Sequence, residues 1–115
     1  MIRNDQWLLE IRLYKIRPGT REEFHRISVD GTIPLMRGLG ITVVTHGPSR
    51  NNENGYFLLR AFPSEQERVE LSQSLYETEE WAAKYDEPVT AMIEDYATTV
   101  LPAPREAIRL LTGTA

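Results

Sequence analysis

Between Trp7 and Ile16 the odd positions Trp7, Leu9, Ile11 and Leu13 are apolar, while the even positions include Glu10, Arg12 and Tyr14. Period two of this kind predicts a β-strand with one buried face. Pro18-Gly19-Thr20 then ends the strand and starts a helix, because proline presets a helical φ and glycine permits the turn. Along that helix Phe24, Ile27, Ser28, Gly31, Leu35 and Leu39 share one side, and Arg26, Asp30 and Arg37 the other. Pro34 interrupts the pattern and removes the hydrogen bond back to Asp30, so a kink or a division into two pieces is expected near Gly31.

Ile41 to His46 is short, β-branched and uncharged, the pattern of a second strand. Residues 47–55 are turn chemistry and Tyr56 to Phe62 is a third strand, so the two form a hairpin. Ser64 with Glu67 three positions on is a capping box opening a helix that carries Val69, Ser72, Leu75 and Tyr76. Thr78 is a further N-cap, with Glu79 and Glu80 well placed for the helix dipole. Pro88 suits another helix start, with Val89, Met92 and Ile93 as its apolar side. Asp95 to Leu101 reads as the last strand. Pro102-Ala103-Pro104 breaks it, and Arg105 to Leu111 forms a tail with Ile108 and Leu111 on one side.

The order strand, helix, strand, strand, helix, strand predicts a ferredoxin-like α+β fold with a four-stranded antiparallel sheet. The first strand is central, between the third and the fourth, and helices cover one face only. Both faces nevertheless carry large side chains. Tyr56, Leu58 and Phe62 alternate with Phe57 and Leu59, and Leu8, Tyr14 and Ile16 add to the second face of the first strand. An uncovered apolar face of this size is on the order of the largest patch a monomer tolerates. A second copy is the simplest cover, so a homodimer whose two sheets close into an α/β barrel is expected, with Ile108 and Leu111 of the tail extending the contact.

Composition narrows the partners. The chain has 115 residues, no cysteine, two histidines and a formal net charge of -4. That fits one domain, residues 1–115 with a core at 7–101 and a tail at 102–115, and excludes thiol chemistry. The acidic balance gives no footprint for nucleic acid. No apolar run reaches membrane-spanning length and the first residues are polar, so no membrane insertion and a cytoplasmic location are expected.

Glu10-Ile11-Arg12-Leu13-Tyr14-Lys15-Ile16-Arg17-Pro18-Gly19 resembles the opening of NIPSNAP family proteins, where a Glu-aliphatic-Arg-x-Tyr strand runs into a Pro-Gly helix start. Pro34-Leu35-Met36 with Leu39-Gly40-Ile41, then Tyr56 to Arg60 with Phe62, Ser64 and Glu67-Arg68, then Tyr76 and Glu79-Glu80-Trp81, are similar in type and spacing. The resemblance covers roughly residues 7–101, and it is the order of the pieces that is specific. It implies the dimeric α/β barrel superfamily, which includes cofactor-free monooxygenases, haem-degrading enzymes and small isomerases, and it implies no settled reaction. In the haem-degrading members the iron ligand is a histidine of the second helix. Residues 64–94 here contain none, so no haem, and no other cofactor, is expected.

Glu10, Arg12 and Tyr14 project from one strand face, so an acid, a cation and a phenol converge on whatever that face meets. If it meets a second subunit, they form a register-fixing interface network, the reading that outweighs a ligand site. As a ligand site, Arg12 anchors a carboxylate or phosphate and Tyr14 orients it. Arg60, mid-strand among apolar neighbours, needs a partner, and Glu10 on the adjacent strand is the candidate. His46 at a strand end is the best acid–base candidate, while His25 is a boundary residue of the first helix. Tyr76, Trp81 and Tyr85 have core-like spacing; Tyr76 and Trp81 are the expected wall of any cleft between sheet and helices. The acidic residues between Glu77 and Asp95 match no calcium loop, and two scattered histidines make no zinc site. The leading reading is a homodimer that binds a small organic ligand in such a cleft. The alternatives are a cofactor-independent monooxygenase- or isomerase-like enzyme acting on an aromatic or polyketide-like substrate through His46, and a protein-interaction module using outward Val29 and Ile33.

Overall fold

The computed structural model describes residues 6–113. The strands are β1 (Gln6–Ile16), β2 (Thr42–Pro48), β3 (Gly55–Phe62) and β4 (Ile93–Pro104), joined in one antiparallel sheet of order β2-β3-β1-β4. The helices are α1 (Arg21–Ile27), α2 (Ile33–Gly38), α3 (Glu65–Glu77), α4 (Asp86–Met92) and α5 (Arg105–Thr112). This is the expected ferredoxin-like α+β arrangement, with β1 central between β3 and β4.

Period two in β1 divides the sheet into two unlike faces. Leu8, Glu10, Arg12 and Tyr14 stand opposite Phe62, Arg60, Leu58 and Tyr56 on the face that α1 to α4 cover. Leu9, Ile11 and Leu13 stand opposite Ala61, Leu59 and Phe57 on the other face. The main core lies under the helices, built from Ile16, Phe24, Ile33, Met36, Leu58, Phe62, Leu75, Trp81, Val89 and Met92. Alternation shows which residues share a face but not which face the helices take. Glu10, Arg12 and Tyr14, expected at a subunit interface, are therefore corrected to the helix-covered face of their own chain, with Glu10 fully buried.

Two stretches of helix are wound as π turns, Ser28–Thr32 between α1 and α2 and Trp81–Tyr85 before α4. Each lies shortly before a proline that cannot return a hydrogen bond to the preceding turn, Pro34 to Asp30 and Pro88 to Lys84. The backbone widens instead, with the Ile33 N–H donating to the Ser28 carbonyl and the Asp86 N–H to the Trp81 carbonyl. The break expected near Gly31 thus takes the form of a wide turn. Pro88 sits in the first turn of α4, the expected helix start, with Val89 and Met92 buried, while Ile93 begins β4. Thr78 caps as expected, its hydroxyl accepting from the Trp81 N–H at 3.1 Å.

Pro102 and Pro104 do not end β4, which pairs with β1 through Pro104. Both occupy alternate positions of an edge strand, where a missing N–H leaves the ladder intact. α5 then folds back over the open face, burying Ile108 against Leu9, Val44, Ala61 and Ala103. Ile108, expected to extend a contact between copies, is satisfied within its own chain, and Leu111 stays 53% exposed. The rest of the face is only partly covered in the single chain: Ile11 and Leu59 pack against this cluster, Phe57 is half-buried, and Leu13 is 56% exposed.

Candidate functional site

A cleft of about 490 Å³ opens between the sheet and the helices. Arg12, Tyr14, Tyr56 and Leu58 form its floor, and Tyr96 of β4 stands at its edge. Ser28 and Thr32 of the first wide turn, with Ile33 of α2, line one wall, and Trp81 of the second, with Asp86 of α4, lines the other. π turns gather at functional sites because they re-aim side chains that a regular helix would place elsewhere. The two turns pack on each other through Gly31, where a methyl group would overlap the Tyr85 phenol.

Arg12 supplies the interior charge. Its Nη1 donates to the Tyr76 hydroxyl at 3.3 Å, its Nε lies 3.4 Å from Glu10 Oε1, and its guanidinium sits 5.9 Å from the Tyr96 ring centroid. Behind it, fully buried Arg60 donates from Nε to Glu10 Oε1 at 2.7 Å and from Nη2 to Ser72 at 3.1 Å. Arg68 Nη1 reaches Glu10 Oε2 at 2.9 Å and also pairs with Glu65. Three guanidiniums share two carboxylates, which leaves a net positive charge behind the cleft. Burial alone raises a carboxyl pKa, but here the bond from Arg60 and the charges of Arg60 and Arg12 overcome it and hold Glu10 below its ordinary value. Burial pushes the Tyr14 phenol up. Arg12 Nε and Arg60 Nη1 make no hydrogen bond among the described residues. Carboxylates also line the cleft: Asp86, which accepts from Trp81 Nε1 at 3.3 Å, Asp95, and Glu94, which pairs with Lys15 at 2.8 Å.

Of the residues expected to contact a ligand, Arg12, Tyr14, Tyr76 and Trp81 line this cleft. Arg60 does not. It is sealed behind Arg12 with the partner anticipated for it. His46 is also outside the lining, one residue removed: its Nδ1 lies 2.9 Å from the hydroxyl of Tyr56, which does line it, and His25 Nδ1 lies 2.8 Å from the same oxygen. Burial, then His25 and Arg37, lower the His46 pKa, and burial raises Tyr56 to about 12. Ile33, expected on an outward face, is buried and lines the cleft, whereas Val29 is exposed. Sequence reasoning missed Tyr56 and Ser28 because the pairing depends on hairpin register, Pro48 against Tyr56, and on the wide turn. Among the described residues no group of three or more His, Asp or Glu side chains is placed to hold a metal ion, and no helix is long and apolar enough to cross a membrane.

An Agrobacterium tumefaciens NIPSNAP family protein with unknown function superposes with a TM-score of 0.79 at 21% identity, covering 90% of this chain and 93% of the other. A second NIPSNAP family protein from that organism gives 0.77 at 19% identity, covering 83% and 90%. The chain has a NIPSNAP-like fold. No family model matches the sequence and no relative appears among curated proteins, so this likeness is one of fold. The same sheet and helix layout extends to a Nitrosomonas europaea protein named as a candidate antibiotic biosynthesis monooxygenase, with a TM-score of 0.62 at 10% identity over 90% of this chain and 93% of the other. The NIPSNAP-like fold therefore carries no reaction with it.

Proposed function

We propose that this protein is a homodimer that binds a small organic molecule in the cleft of each subunit. The ligand is largely apolar with one acceptor head, a carboxylate or carbonyl oxygen, held by Arg12. The observation that carries this reading is a 490 Å³ cavity, the size of a small-ligand site, whose mainly apolar lining ends on one guanidinium backed by further positive charge. An arginine in that setting favours a single oxygen acceptor, because charge-assisted bonds are about twice as strong as neutral ones. The carboxylates Asp86, Glu94 and Asp95 in the same lining disfavour a polyanion such as a nucleotide. The dimer is supported by the apolar strip of Ile11, Leu13, Phe57 and Leu59 that α5 leaves only partly covered.

Titration of Trp81 fluorescence with 3-phenylpropionate and with its amide tests the reading. The wild type is expected to prefer the acid, and Arg12→Met to lose roughly tenfold or more in affinity for it, as expected for a lost charged hydrogen bond. Equal binding of the acid by Arg12→Met and wild type would sink the assignment of Arg12.

A further inference from the structure

Tyr56 makes more hydrogen bonds than a buried phenol needs. Its oxygen lies 2.8 Å from His25 Nδ1 and 2.9 Å from His46 Nδ1, and its ring belongs to the cleft lining. A phenol carries one proton, and an imidazole Nδ1 donates or accepts according to its tautomer. With both rings neutral, the Tyr56 hydroxyl donates to one Nδ1 while the other ring must carry its proton on Nδ1 and donate to the phenol oxygen. Two contacts hold two protons. A third, arriving at the accepting nitrogen, makes both rings donors and turns the phenol proton out of the cluster. The phenol itself belongs to the cleft lining, so the displaced proton faces the cleft, while the Ser28 hydroxyl is engaged as a donor to the Phe24 carbonyl at 2.8 Å.

The surroundings fit such a cluster. His46 is faced by His25 from α1, Arg37 from α2 and Tyr56 from β3, and Tyr14 of β1 acts on Tyr56. Burial, His25 and Arg37 lower the His46 pKa, so that ring rests neutral near pH 7, and Tyr56, raised to about 12, keeps its proton. An accepting Nδ1 in the cluster is then ready to take up one more. Both imidazoles are half-buried, within reach of solvent.

We infer that His25, Tyr56 and His46 form a proton relay between solvent and the cleft, and that the cleft catalyses proton transfer at a carbon next to the ligand's carbonyl. This rests on the ligand-binding reading above and adds an activity to it. In the step, the C–H bond beside the carbonyl breaks and its proton passes to the Tyr56 oxygen as the phenol proton moves to the accepting imidazole Nδ1. The electron pair moves onto the carbonyl oxygen, and Arg12 holds the resulting enolate. Return of the proton to the same carbon exchanges it, and return to another site isomerises the ligand. No oxidant or reductant is consumed.

The experiment follows phenylpyruvate in D₂O by proton NMR, reading loss of the benzylic signal, with binding measured in parallel by Trp81 fluorescence. The wild type is expected to accelerate exchange at least about tenfold over buffer, and Tyr56→Phe to lower that rate by about a hundredfold with little change in affinity. The rate should fall as pH drops through the histidine range, and His46→Asn should move that midpoint. Nitrogen NMR of the wild-type rings should show one Nδ1–H and one Nε2–H tautomer. Bound phenylpyruvate exchanging no faster than in buffer, or Tyr56→Phe exchanging like the wild type, would overturn the relay and leave the binding site standing. Failure of the wild type to bind phenylpyruvate at all would overturn both.

Discussion

Glu10 is the residue on which the polar interior turns, because it is the fully buried carboxylate shared by Arg60, Arg12 and Arg68. Neutralising it strands a guanidinium with no exposure to water, so Glu10→Gln is expected to cost about 3–5 kcal/mol in urea denaturation. The pH dependence has a definite sign. Since the folded protein holds Glu10 below its ordinary value, the stability it contributes is present above the normal carboxyl range and is lost as pH falls through the lowered value. A urea midpoint measured from pH 6 down to pH 3 should fall more steeply for the wild type than for Glu10→Gln. The pairing of Glu10 with Arg60 was legible from the sequence, because two charges on neighbouring strands of one apolar sheet have few other partners. Its location beneath the helices was not, since alternation is symmetric between the two faces.

At the level of elements, Pro34 announces an interruption of the first helix and Pro88 a helix start, but neither announces that a wide turn comes just before it, facing the same cleft. The form depends on tertiary packing, in which Gly31 lets the Tyr85 phenol lie directly on the first turn. Gly31→Ala is expected to push Tyr85 aside, cost about 1–3 kcal/mol and weaken ligand binding, because the wall that carries Ser28 and Thr32 shifts with it. In a Tyr85→Leu background the same substitution should be nearly neutral. A double-mutant cycle on the urea midpoint checks the coupling, and additive effects would show that the two turns do not bear on each other. β4 taught the opposite lesson: Pro102 and Pro104 read as breakers, yet an edge strand tolerates them.

For the whole molecule, the open face decides the assembly. Leu13 is 56% exposed in the single chain, so Leu13→Lys removes little from the fold and places a charge where the second copy would sit. Sedimentation should give the wild type twice the 13.2 kDa chain mass and the variant the chain mass alone, with an unchanged circular dichroism spectrum. A wild type that sediments at the chain mass would end the dimer reading. The need for a cover was visible in the alternating large side chains of β1 and β3, while the share of it that α5 supplies was not, because eight residues after two prolines give no hint of where they dock.

The two prolines that close β4 have one more effect. A sheet rim with free donors is a template on which a stray strand of another molecule can add, and repeated addition yields fibres. Rings in place of N–H groups at Pro102 and Pro104 deny such a newcomer its anchoring points at that corner, which disfavours open-ended growth from this edge.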